Sequence, residues 1–138
     1  LGEPSCQAHI RNILNATSRT LQIAFDNMKE VYTDIQMHLE FLQTKGVEMH
    51  FLLIKDDEKT DYHEKLEEYG DVQFLPYIDQ NLLISDEKTA IQGIKGRFNI
   101  ANPKKEDYAM MSSTSVIFIM YCMEIFERLC NRATKSNK

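Results

Sequence analysis

The chain lacks an apolar run long enough to cross a membrane. Its longest, over residues 116–121, falls far short of the roughly 18 residues a spanning helix needs, so no membrane partner is expected. Cysteine is scarce and odd in number: Cys6, Cys122 and Cys130, with no C-x-x-C spacing. That argues against a disulfide framework and predicts buried thiols in a reducing compartment, read as the cytoplasm. Basic charge is short as well. Sixteen Lys and Arg stand against 21 Asp and Glu, a net charge of -5. A duplex-DNA binder usually carries a basic footprint, so no direct nucleic-acid contact is expected. Internal repeats and low-complexity tracts are missing too. The 138 residues, 43% hydrophobic and 27% charged, therefore read as one domain, 1–138, able to bury a sizeable core. The start at Leu1 and the polar ending Ala-Thr-Lys-Ser-Asn-Lys suggest a fragment of a longer protein.

What is present is an alternation of periodicities. Ser5 is a plausible N-cap for a first helix whose Ile10, Ile13 and Leu14 fall at i, i+3, i+4. Residues 19–25 alternate as a strand does. Val31, Ile35, Leu39 and Leu42 repeat near a helical period over 29–44, and Gly46 supplies a stop. Residues 47–54 begin alternating and end continuously apolar, which suits a central strand. A third helix is expected over 60–69, stopped by Gly70, and a short strand over 71–76. Residues 82–84 and 89–94 read as a hairpin turning at 85–88. A polar loop over 95–107, a strand over 108–111 and a final helix over 116–133, capped from Ser112 to Ser115, complete the pattern. Early strand-helix alternation implies parallel pairing and right-handed crossovers. The expected fold is α/β: a mixed, largely parallel β-sheet flanked by helices on both faces.

Several stretches, in this order along the chain, resemble the phospholipase D-like fold. Lys45-Gly46-Val47 is similar to its helix-to-strand junction, and Gly70-Asp71-Val72-Gln73-Phe74-Leu75 to the strand after its third helix. Leu82-Leu83-Ile84-Ser85-Asp86-Glu87-Lys88 is similar to its hairpin, and Ile125-Phe126-Glu127-Arg128-Leu129 to its last helix. Active members carry H-x-K-x-x-x-x-D at the hairpin. Here residues 79–86 give D-x-N-x-x-x-x-D: Asp86 keeps the motif's aspartate, while Asp79 and Asn81 replace its histidine and lysine. Such chemistry needs a histidine nucleophile and a lysine on the phosphoryl oxygens. The histidines His9, His38, His50 and His63 fall on other expected elements, so a register slip does not restore the motif. The resemblance therefore implies a degenerate, single-repeat domain that is not an enzyme. Domains of this kind serve as sensors or effectors in archaeal sugar-responsive transcriptional regulators of the TrmB family and, by similarity, in archaeal histidine kinases.

Other constellations are weaker. His63-Glu64 lacks the second histidine of H-E-x-x-H, and Gly93-Ile94-Lys95-Gly96 lacks the ending of a phosphate loop. Cys122 and Cys130 share a face of one helix and read as core thiols. Asp56-Asp57-Glu58 and Glu67-Glu68 read as solvated charge runs. Lys95, Arg97, Lys104 and Lys105 form one basic segment, read as loop solubility. No cofactor and no metal are expected.

In open α/β sheets ligands gather at the carboxyl ends of the parallel strands. That rule, with the resemblance, assembles an expected cleft from Asp26, Asn27, Lys55, Tyr77, Asp79, Asn81, Ser112 and Ser113. Its carboxylates, amides and hydroxyls suit a small polar ligand such as a sugar. Met110, Met111, Met120 and Met123 gather near the last helix, where an adaptable apolar surface would suit a homodimer. The expected function is a non-catalytic sensory or regulatory domain of a prokaryotic, archaeal-type signalling or transcription protein. The alternatives are a phosphodiesterase-type hydrolase using non-standard residues and a purely structural interaction domain.

Overall fold

A computed structural model describes residues 4–55, 61–96 and 107–135. Among these residues four helices and seven strands follow one another: α1 (Pro4–Ala16), β1 (Thr20–Ala24), α2 (Met28–Thr44), β2 (Glu48–Ile54), α3 (Asp61–Tyr69), β3 (Asp71–Leu75), β4 (Gln80–Ser85), β5 (Thr89–Gly96), β6 (Asp107–Ser113), α4 (Val116–Arg132) and β7 (Thr134–Lys135). The expected elements lie within a few residues of these bounds, apart from the two-residue β7. The Asp56-Asp57-Glu58 run, Thr60 at the start of the expected third helix and most of the 95–107 loop lie outside the described residues.

The strands form one sheet in the order β6-β5-β4-β1-β2-β3-β7. Only β1 with β2 and β2 with β3 pair parallel; the other four pairings are antiparallel. The expectation of a largely parallel sheet is therefore corrected to a mixed sheet with a mostly antiparallel balance. The reason lies in residues 76–79. After β3 the chain must pass β2 and β1 to reach its place beside β1 as β4. Three strand spacings are about 14 Å, and the five Cα steps from Leu75 to Gln80 reach about 17 Å when extended. Nearly straight, the segment has no length left for a return crossover. It enters β4 at the edge where β3 ended, and β4 must run antiparallel. Hairpins then propagate that sense through β5 and β6.

Both faces of the sheet are covered, unequally. On one face α1, α2 and α3 close a core around Leu14, Leu21, Ile23, Phe51, Leu66 and Leu83. On the other, α4, the only helix there among the described residues, packs Ile119, Cys122, Phe126 and Leu129 onto Ala24, Leu52, Leu75, Leu82, Ile84 and Ala90. The buried stripe of α2 at Val31, Ile35, Leu39 and Leu42 is the one its periodicity predicted. α2 ends in a Schellman arrangement. Gly46 is left-handed at φ 77°, its N–H bonds the Gln43 carbonyl, and the Val47 N–H bonds the Leu42 carbonyl. This satisfies carbonyls that a helix end otherwise leaves open.

The β4–β5 hairpin turns on Asp86 and Glu87, both left-handed at φ 54° and 56°, with the Lys88 N–H on the Ser85 carbonyl at 2.9 Å. That is a two-residue turn whose twist matches the strands. Asp86 does more than turn the chain. Its carboxylate accepts the main-chain N–H groups of Ser18, Arg19 and Thr20 at 2.7–3.2 Å and the Ser18 hydroxyl at 3.3 Å. Burial acts to raise its pKa, but these donors outweigh burial and hold the carboxyl below its ordinary value. Beside it, buried Thr17 and Ser85 share a 2.7 Å hydrogen bond.

Candidate functional site at the carboxyl edge

The chain visits β1, β2 and β3 in one direction across the sheet and then returns to the other side of β1. The switch point is the gap between β1 and β4, where ligand crevices form in open sheets. Here that gap is bridged from within. Asn81, only 3% exposed, accepts the Asp26 main-chain N–H through Oδ1 at 2.8 Å. The second residue of β4 thus ties β4 to the exit of β1, and the side-chain oxygen expected to meet a ligand is bonded within the fold.

Around this tie Asp26 lines one recess and Tyr77 and Asp79 another, on opposite faces of the sheet, while Asn27 and Lys55 line neither. On the three-helix face, a recess of about 150 Å³ lies between Asp26, Lys29, Glu30 and Tyr62. Asn27 stands just before α2, where its carbonyl accepts the Glu30 and Val31 N–H groups; its Oδ1 is buried and has no hydrogen-bond partner among the described residues. On the α4 face, a recess of about 180 Å³ is lined by Leu75, Pro76, Tyr77, Asp79, Leu129 and Arg132. Tyr77 and Asp79 flank Ile78, which is buried in the α4 core and anchors the crossing segment. Lys55 leaves β2 at the same edge, its N–H on the Leu75 carbonyl at 2.8 Å, with its side chain exposed.

Arg132 was not anticipated. It ends α4, and its position beside Tyr77 and Asp79 depends on how α4 crosses the sheet. A basic residue in the last turn of a helix is a common sequence signal, but it does not say which strand end lies beneath.

Ser112 and Ser113 do not join these recesses. β6 runs antiparallel to β5, pairing Ser113 with Ala90 and Ser112 with Ile91. Both serines therefore lie near the Ser85–Lys88 turn, at the opposite end of the sheet. Ser112 Oγ is 2.9 Å from His9 Nε2, and Ser113 Oγ accepts the Ser115 N–H at 2.9 Å ahead of α4. Their expected place in the cleft is corrected. It assumed that the strand before α4 runs parallel to β1, whereas the hairpins reverse it.

The chain contains one H-x-K spacing, His63-Glu64-Lys65. It lies on α3. His63 is 2% exposed, with its ring 5.5 Å from that of Phe74 and 4.1 Å from that of Tyr62. Lys65 pairs with Glu68 at 3.3 Å. The fifth residue after Lys65 is Gly70, so the pair lacks the spaced aspartate. Among the described residues no group of three or more His, Cys, Asp or Glu is placed to hold a metal ion, and no helix is long and apolar enough to cross a membrane.

No family model and no curated protein matches the chain by sequence. Solved structures do match it in shape. TrmBL2, an archaeal chromatin protein with a novel mode of DNA binding, superposes with a TM-score of 0.70 at 16% identity, over 94% of this chain and 50% of that one. NucT from Helicobacter pylori gives 0.70 at 12% identity, over 96% and 94%. Nuc from Salmonella typhimurium, a phospholipase D family member, gives 0.68 at 12% identity, over 99% and 95%. The fold is thus phospholipase D-like, and the chain spans half the length of TrmBL2. Two expectations fall with these likenesses. That the chain is no enzyme is overturned by NucT and Nuc, enzyme-like neighbours matched along nearly their whole length; an altered hairpin motif does not decide catalysis. That it makes no nucleic-acid contact is overturned by TrmBL2, a DNA-binding neighbour; a net charge of -5 was too coarse a guide.

Proposed function

We propose that residues 1–138 act as a regulatory domain of a longer, nucleic-acid-associated protein. On this reading the domain responds to a small polar ligand held at Tyr77, Asp79 and Arg132. One observation carries the proposal: a phenol, a carboxylate and a guanidinium converge on one recess of about 180 Å³ at the carboxyl edge. The set offers donors and acceptors beside apolar Leu75 and Leu129, the mix of groups by which small-ligand sites orient their occupants. Its size suits a molecule no larger than a monosaccharide. The likeness to TrmBL2 supports the setting, since there a domain of this shape makes up half of a DNA-binding chromatin protein.

The test is titration calorimetry with monosaccharides, polyols and mononucleotides against the chain and its Asp79→Ala and Arg132→Ala variants. Binding by the chain and at least tenfold weaker binding by both variants is the expected result. Binding that neither variant alters would remove the recess from the proposal.

A second reading rests on Arg132. A guanidinium at this edge also suits a phosphodiester, which it can hold through two parallel hydrogen bonds. Turnover of bis-p-nitrophenyl phosphate that disappears in Arg132→Ala would make the occupant a substrate. Steady binding of an uncharged sugar without turnover would favour the first reading.

A further inference from the structure

The α4 face carries a second feature, away from the carboxyl edge. A groove of about 840 Å³ runs beside α4, with Ile117, Met120, Tyr121 and Phe126 along one wall and Gln22 and His50 on the strand floor. Ile117 is 81% exposed, Val116 70%, Met120 64% and Tyr121 49%. Apolar side chains rarely stand exposed in contiguous stripes unless something covers them, and these recur at the i, i+3, i+4 spacing of a helix-packing ridge. Among the described residues, three helices pack on the other face of the sheet and α4 on this one, and the groove lies beside it.

The floor specifies what kind of helix. The groove is mostly apolar, with polar Gln22 and His50 on its floor and carboxylates at its border. His50 lies between two carboxylates, Glu48 at 3.2 Å and Asp71 at 3.4 Å. Glu127 lines the groove with no ion pair among the described residues, whereas Glu124 is matched by Arg128 at 2.6 Å. A wholly apolar helix would offer these carboxylates no counter-charge. A second copy docked through the same face would set its own Glu48, Asp71 and Glu127 against these carboxylates. A helix apolar on one side and Lys- or Arg-rich on the other meets both demands, and methionine at the contact adapts to such ligands.

We propose that this groove docks a cationic amphipathic helix of a partner protein. Its apolar stripe packs on Ile117, Met120 and Tyr121, and its basic side faces Glu48, Asp71 and Glu127.

The probe is a fluorescein-labelled 16-residue helix of Leu and Lys with a single apolar stripe, read by anisotropy. The controls are a scrambled peptide of the same composition and a Leu/Glu version. The stripe peptide is expected to bind at least about tenfold more tightly than either control, and to weaken as salt rises. Ile117→Asp, Met120→Asp and Glu127→Lys should each weaken it about tenfold while leaving the thermal melt unchanged, since these groups are exposed. Equal binding of the scrambled peptide, or no binding, overturns the proposal. So does sedimentation showing a dimer that Met120→Asp dissociates, because a second copy would then occupy the groove.

Discussion

Asp86 accepts the Arg19 main-chain N–H at 2.7 Å, across 67 residues of sequence. This bond, with those from Ser18 and Thr20, clamps the β4–β5 turn onto the entry to β1. In the register of the phospholipase D-like resemblance, Asp86 takes the place of the motif's aspartate. The structure gives it a role that holds whether or not the domain catalyses anything, because a carboxylate bonded to three consecutive N–H groups organises the start of the central strand.

Stability should accordingly depend on acid. The folded Asp86 carboxyl lies below its ordinary value of 3.8. Its contribution is fully present above the unfolded pKa and is lost as pH falls through the folded one. Urea unfolding at pH values from about 6 to 2 should show stability falling below about pH 4. Asp86→Asn should flatten that acid limb and lower stability at pH 7 by about 1–3 kcal/mol, since an amide is a weaker acceptor for the same donors. An unchanged acid limb in the variant would mean that other carboxylates carry the dependence.

Gly70 gives a prediction of a different kind. It closes α3, where the sequence reading took it for a helix stop. The closer constraint is steric: a Cβ at this position would overlap the Met49 carbonyl oxygen of β2. A backbone atom in a central strand cannot swing aside as a side-chain tip can. Gly70→Ala is therefore expected to destabilise by more than about 2 kcal/mol, visible as a lowered urea midpoint. Gly46→Ala, with nothing near its Cβ but a left-handed φ, should cost about 1 kcal/mol.

These two glycines show how far the sequence carries. Local chemistry is legible: Gly46 ends α2, the Asp86-Glu87 turn joins β4 to β5, and the apolar stripe of α2 faces the core, because each depends on neighbours a few residues away. Strand sense was not legible after β3. It depends on the short reach of residues 76–79, and the periodicity of a strand is the same in either direction. The candidate site inherits that limit. Tyr77 and Asp79 share a recess because they are two residues apart on one crossing segment. Arg132 joins them, and Ser112 and Ser113 leave them, only because of where α4 and β6 lie in three dimensions.

Asn81 separates a structural tie from a binding group. Its side-chain oxygen is buried and holds the Asp26 N–H at 2.8 Å. Removing that acceptor leaves a donor unpaired at the junction of β1 and β4, at a cost of about 1–3 kcal/mol. Asn81→Ala should lower the urea midpoint accordingly. Asn81→Asp keeps an acceptor but buries a charge, so it should be more stable at pH 5 than at pH 8, the reverse of the Asp86 dependence. A buried carboxyl has its pKa raised, and its stability is lost as pH climbs through that value. Neither variant should weaken a ligand held at Tyr77, Asp79 and Arg132 beyond its effect on folding. Suppose instead that Asn81→Ala melts like the parent chain but no longer binds the ligand. The amide would then face the ligand, and the crevice between β1 and β4 would open in solution.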